Sequence, residues 1–142
     1  MNYLRYTIIL IAATLGLAVL GYLLPVGGSW TGIVPVMIAA LVEGHKYAEQ
    51  RRMLPPGAER RRFAMIATAI NIGMAAVYIA GMSMIDPGIA AVFLGGASGL
   101  VLGVLLVILL LVYALSWFFV QSGAKGYLRG QERLAARGAG RK

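Results

Sequence analysis

The chain lacks the residues that most enzymes and metal proteins depend on. Among its 142 residues there is no cysteine, one histidine and five acidic side chains. Without cysteine the chain forms no disulfide, no thiolate metal site and no thiol nucleophile. One histidine and few carboxylates leave little for general acid–base catalysis, and no glycine-rich loop of the kind that cradles phosphate is present. We therefore expect no catalytic residues, no cofactor and no metal.

Charge of either sign is also scarce. Charged residues make up 13% of the chain and hydrophobic residues 60%, whereas a soluble domain carries roughly a quarter charged residues. Nearly all of the charges fall outside the long apolar runs. The composition predicts a single-domain, all-α integral membrane protein.

The apolar runs predict four transmembrane helices arranged as two hairpins. The predicted spans are about 6–24, 31–50, 63–85 and 89–120, followed by a basic tail at 122–142. The second span is short in apolar residues, and its Pro35 is tolerated if it falls in the first turn. The fourth run is too long for one straight span, so it either tilts or breaks near Gly95 and Gly96. Frequent glycine in the tail argues against a durable helix there.

The basic residues predict the topology. All thirteen lysines and arginines fall on one side of this arrangement: Arg5 before the first span, six in the central stretch and six in the tail. By the positive-inside rule that side is cytoplasmic, and both termini lie there. Trp117, Phe118 and Phe119 are placed at the same interface. Asp86 falls on the opposite side, as the N-cap of a helix that begins at Pro87.

The central stretch resembles a family of small four-span bacterial membrane proteins of unknown function. The residues that carry the resemblance lie between the two hydrophobic hairpins: Gly44, Tyr47, Ala48, Arg52, Pro55, Glu59 and Phe63. The resemblance implies the four-span layout and a bacterial inner-membrane location. It implies no activity.

A few polar side chains are predicted within or at the edge of the membrane: Glu43, His45, Thr68 and Asn71. Thr68 and Asn71 share a face of the third span that should turn inward. Two interpretations remain open, because ionisable groups in membranes often mark a solute path, whereas Asn71 is also explained by an ordinary interhelical hydrogen bond. His45 and Glu49 have the spacing of two metal ligands but lack further ligands in any pattern, so a structural role is favoured.

A second feature is a strip of small residues in the fourth run. Ala91, Gly95, Gly99 and Gly103 repeat at four-residue spacing, which favours close helix packing. The spacing does not show whether the packed helix belongs to the same chain, to a second copy or to another protein.

The basic residues provide the remaining candidate surface. We expect anionic lipid headgroups or an acidic partner, and no nucleic acid, to meet the following residues: Arg51, Arg52, Arg60, Arg61, Arg62, Lys125, Arg129 and Arg133. The leading hypothesis is a non-enzymatic accessory, assembly or scaffold subunit that contacts lipids and other membrane subunits or itself. The alternative is a small channel or transporter for a proton or small solute.

Overall fold

In the residues that it describes, a computed structural model shows four α-helices. The structure describes residues 1–23, 30–86, 88 and 99–139, with the backbone alone at 30–32, 99–102 and 138–139. The helices are α1 (Tyr3–Leu23), α2 (Trp30–Arg51), α3 (Gly57–Ile85) and α4 (Gly99–Ala139). The predicted all-α fold with four long helices is confirmed.

Three of these helices are long and apolar enough to cross a membrane. They are Tyr3–Leu23, Gly57–Ile85 and the part of α4 from Gly103 to Arg137. Helix α2 is not among them, since its second half carries charged residues from Glu43 onward. The composition and these three helices make the chain a membrane protein.

The helices meet at one end, which we call the charged end. The starts of α1 and α3, the last turns of α2 and residues 117–127 of α4 lie together there, as the contact between Arg5 and Glu43 and that between Arg60 and Gln121 show. The buried core begins just beyond: Tyr6, Leu10, Val36, Ala39, Ala40, Phe63, Ala67, Val112 and Val120. Helix α2 has the most extensive contacts, first with α4 and then with α1.

The opposite end, which we call the open end, is loosely packed. Leu15 to Leu23 of α1 and Ala75 to Tyr78 of α3 are exposed with the single exception of Leu17, and Gly103 to Ile108 of α4 are exposed throughout. Ala64 and Tyr78 lie on the same face of α3 as Thr68 and Asn71. Ala64 is buried but Tyr78 keeps 68% of its surface, so this face packs inward only in its first half. Lipid tails can cover such apolar surface without the cost that water would impose.

Two local predictions are wrong. Pro35 does not fall in the first turn of α2, because the helix begins five residues earlier at Trp30; its ring removes one backbone hydrogen bond inside the helix, which neighbouring helices in a membrane protein tolerate. The basic tail does not lose its helix at the glycines, because α4 continues unbroken to Ala139. Extending an existing helix avoids the unfavourable nucleation step.

The residues at the ends of α2 and α3 explain where these helices stop. Helix α2 ends where Arg52 takes a left-handed φ of 52° and its N–H donates to the Ala48 carbonyl at 2.8 Å. Pro55 and Pro56 then separate α2 from α3. Asp86 ends α3, and its carboxylate accepts a hydrogen bond from the Gly88 N–H at 2.8 Å, which is the contact that an N-cap makes. The helix predicted to begin at Pro87 lies largely outside the described residues.

Glycine sets the distance between α2 and α4. A Cβ placed on Gly44 would overlap the Val120 carbonyl, and one placed on Gly123 would overlap the Leu41 carbonyl. We call these four residues the α2–α4 contact. The two backbones touch at this point, which is the type of packing that small residues permit in membrane helices.

Substitutions at this contact provide a direct stability test. We expect Gly44→Ala or Gly123→Ala to destabilise the fold by about 1–3 kcal/mol, because the methyl group meets backbone that cannot move aside without separating the helices. Thermal unfolding in detergent micelles measures the effect. The matched control is Gly126→Ala in the same helix, where a Cβ meets no atom of the described chain within 4 Å; it should leave the melting temperature unchanged or raise it. Equal effects at positions 123 and 126 would contradict the contact.

Candidate functional site

At the charged end of the described chain, the polar side chain with the most hydrogen bonds is the Glu43 carboxylate. Its side chain has 0% exposure, yet both oxygens are paired. Arg5 Nε donates to Oε2 at 2.8 Å and Arg5 Nη2 donates to Oε1 at 3.0 Å. The Asn2 backbone N–H adds a third bond to Oε1 at 2.6 Å. A two-pronged arginine contact of this geometry neutralises a buried carboxylate and fixes its orientation.

An aromatic group lies beside this pair and joins α1 to α3. The Phe63 ring is fully buried between Tyr3, stacked at a centroid distance of 6.3 Å, and Tyr6, edge-on at 5.3 Å. The Tyr6 hydroxyl accepts a hydrogen bond from Asn71 Nδ2 at 3.1 Å. Asn71 therefore makes the interhelical bond that one of the two interpretations of the sequence required.

The other predicted polar residues have local partners. The Thr68 hydroxyl donates to the Ala64 carbonyl one turn earlier at 2.8 Å. His45 is exposed and meets the Tyr127 ring edge-on at 4.8 Å. Consequently the structure joins Glu43 to Arg5 and Asn71 to Tyr6, but it does not bring the four predicted residues into one path.

The metal alternative finds no support in the part of the chain that the structure describes. No group of three or more potential ligands from histidine and the acidic residues occurs there. Glu49 instead accepts a hydrogen bond from Lys46 Nζ at 2.6 Å. That contact is an exposed i,i+3 pair of the ordinary helix-surface kind.

Most of the small-residue strip of the fourth run lies outside the residues that the structure describes in full. Ala91 and Gly95 lie outside the described residues, and Gly99 is described in its backbone alone. At Gly103 a Cβ would meet no described atom within 4 Å. The strip therefore packs against no described helix at Gly103, and contact with another molecule there stays a prediction.

Two grooves flank Asn71 in the loosely packed region. One, of about 470 Å³, lies between α1 and α3 and is lined by Leu10, Thr14 and Tyr78 among others. The other, of about 380 Å³, lies between α3 and α4. Both are lined mainly by apolar side chains, as expected for surfaces that lipid tails cover.

The predicted basic residues lie at the charged end, except for Arg129 and Arg133, which follow it along α4. Arg60 is half-buried, with its guanidinium carbon 4.8 Å from the Trp117 ring centre and a hydrogen bond to Gln121. Arg51 Nη1 lies 3.9 Å from Glu59 Oε1, too long for more than a weak surface attraction. The other predicted residues are exposed: Arg52, Arg61, Arg62, Lys125, Arg129 and Arg133. These exposed basic residues thus come from three separate segments, two at the charged end and one that continues along α4.

Sequence reasoning missed the partner of Glu43 and the α2–α4 contact. Arg5 is the one basic residue before the first run, and Glu43 is the first charge after the second. Their positions at the same predicted interface were a signal for pairing. For Gly44 and Gly123 no spacing within either helix marks the contact, because one glycine comes from each helix.

The chain was compared with known proteins, and no family model, curated protein or solved structure matches it.

Removing the guanidinium from the Arg5–Glu43 pair provides a test of its structural role. We expect Arg5→Met to lower the free energy of unfolding in micelles by roughly 3 kcal/mol, because the buried carboxylate loses the charge that neutralises it. The matched control is Lys46→Gln, which breaks the exposed pair with Glu49 and should leave stability within error. If the two variants unfold alike, the pair does not hold α1 against α2.

Proposed function

We propose that the chain is a four-span protein of a bacterial inner membrane that serves as a non-enzymatic accessory, assembly or scaffold subunit. The observation that carries the proposal is that three of the polar residues predicted within or at the edge of the membrane are engaged in structural hydrogen bonds. Glu43 and Asn71 bond to neighbouring helices, and Thr68 bonds to its own helix. What remains exposed is a basic surface at one end, which suits contact with headgroups and with other proteins.

The connectivity supports a fourth crossing by α2. Helix α1 starts at the charged end and α3 also starts there, so the chain between Leu23 and Gly57 has to return across the same distance. Helix α2 has 22 residues, about 33 Å of helix, of which the part before Glu43 places about 20 Å of apolar helix in a hydrocarbon core about 30 Å thick. Its charged second half reaches the interface, where Arg5 and Glu49 lie beside water.

Orientation can be tested by labelling, because the sequence has no cysteine. Single-cysteine variants Met84→Cys at the open end and Ala136→Cys beyond the charged end are treated in intact bacteria with a maleimide that does not cross membranes. We expect labelling at position 84, whose side chain is 90% exposed, and none at position 136 until the cells are opened, because the basic end faces the cytoplasm. The reverse pattern would overturn the orientation.

The geometry supports the alternative hypothesis, a channel or transporter, less well than the subunit hypothesis. A proton carrier needs a carboxylate that can exchange protons, whereas Glu43 is fully buried and held by Arg5 and by the Asn2 N–H. The grooves beside Asn71 are lined mainly by apolar side chains, which offer few polar groups to a proton or a small polar solute.

Purification from native membranes separates the two candidates. We expect the chain to purify in mild detergent as a stoichiometric complex with a larger membrane protein, because its exposed basic residues form a surface suited to binding. Isolated chain in vesicles should carry no ion or proton current above empty vesicles. A lone species that conducts, and whose conductance disappears in Glu43→Gln, would overturn the subunit proposal in favour of the channel.

A further inference from the structure

Helix α4 is far longer than a membrane span. It has 41 residues, about 60 Å of helix, whereas the hydrocarbon core is about 30 Å thick. Between Arg129 and Arg137 every side chain is exposed. This part of α4 therefore extends beyond the packed bundle.

Four cations form a line on this extension, which we call the basic stripe: Lys125, Arg129, Arg133 and Arg137. They recur at every fourth residue, so each follows the last with a turn of about 40°, and the line winds through about 120° from Lys125 to Arg137. Gly123 and Tyr127 face α2. Lys125 lies about 160° around the helix from each of them. The stripe thus starts on the side that points away from the bundle.

In a helix that continues along the membrane normal, the distal half of the stripe lies away from the lipid charges. Trp117 and the contact between Arg60 and Gln121 place the membrane interface near residue 121. At 1.5 Å per residue Arg133 lies about 18 Å and Arg137 about 24 Å further along the helix. The screening length in physiological salt is about 8 Å. Headgroup charge is therefore largely screened at Arg133 and Arg137.

The helix surface beside the basic stripe also has two positions without a side chain. Gly126 and Gly130 lie on the flank nearest to Arg133 and Arg137, and a Cβ at either glycine would meet no described atom within 4 Å. A partner can approach the helix backbone closely there. Glu132 lies on the same side between the cations, and its negative charge would repel a phosphate backbone but can match a protein surface of mixed charge.

We propose that the basic stripe docks on an acidic surface of a partner protein on the same side of the membrane, with carboxylates spaced along a helix or groove, rather than on lipid headgroups. The proposal rests on the proposed function, since it names the surface by which the subunit meets its partner. Of the two partners expected for Arg133, headgroups or an acidic protein, it selects the protein.

The first experiment locates the stripe. The full chain carrying a spin label at Ala136→Cys is reconstituted into vesicles of zwitterionic lipid with and without phosphatidylglycerol. We expect the label to stay accessible to a water-soluble nickel chelate in both, whereas the control label at Leu106→Cys is accessible to oxygen alone. If phosphatidylglycerol shields position 136 from nickel, the stripe lies on lipid and the proposal fails.

The second experiment measures binding to a defined acidic probe. The probe is a synthetic helical peptide with glutamate at every fourth position, added to the full chain in micelles. We expect Arg133→Gln with Arg137→Gln to weaken binding about tenfold, and the matched pair Arg61→Gln with Arg62→Gln, which removes the same charge, to weaken it less than about threefold. Equal losses would show unspecific attraction and overturn the proposal. Tighter binding of a short nucleic-acid duplex than of the peptide would overturn it in favour of nucleic acid.

The two proposals fail separately. Conduction by a lone species would overturn the subunit function and leave the position of the label unchanged. Shielding of the label by phosphatidylglycerol would overturn the docking surface while the chain still purified within a larger complex.

Discussion

The structure depends on one buried charge, the carboxylate of Glu43. A carboxylate without exposure at the edge of a membrane is stable only when a cation and further hydrogen-bond donors satisfy it. Arg5 and the Asn2 N–H meet that need, and both come from the first residues of the chain. The start of α1 is therefore fixed on α2. The next residue, Gly44, lets α4 touch α2, so two adjacent positions hold three helices together.

This arrangement makes the least apolar helix the central one. Helix α2 has too many charges to rank among the three helices that qualify as spans by composition, yet it contacts α1 and α4 more extensively than any other pair of helices in the described chain. Hydrophobic burial does not drive helices together in lipid, because lipid tails are as apolar as the side chains. Close backbone contact and polar bonds are needed instead, and α2 provides both. The same reasoning explains the open end, where such groups are few and the helices separate.

The sequence predicted the features that depend on composition along the chain. It did not predict contacts between residues of two different helices. Apolar runs predicted four long helices, and lysine and arginine counts predicted one charged end. The glycine repeat that ends at Gly103 drew attention because it is regular, but the close contact in the described chain is formed by Gly44 and Gly123, which belong to no repeat within one helix. Likewise, Glu43 was identified as an intramembrane polar residue without its partner, because Arg5 lies 38 positions away.

The continuous helix of α4 shows why glycine content misled at the tail. Glycine costs a helix about 1 kcal/mol per residue relative to alanine, and Gly126 and Gly130 have no described packing to offset that cost. A separate tail helix would also carry the cost of nucleation, but α4 leaves the bundle already formed and adds one backbone hydrogen bond for each residue. Its leucine, alanine, arginine and glutamine residues favour that propagation. The basic extension is therefore ordered because it continues a packed span, and its exposed cations are held in line by contacts made near Gly123 rather than by contacts of their own.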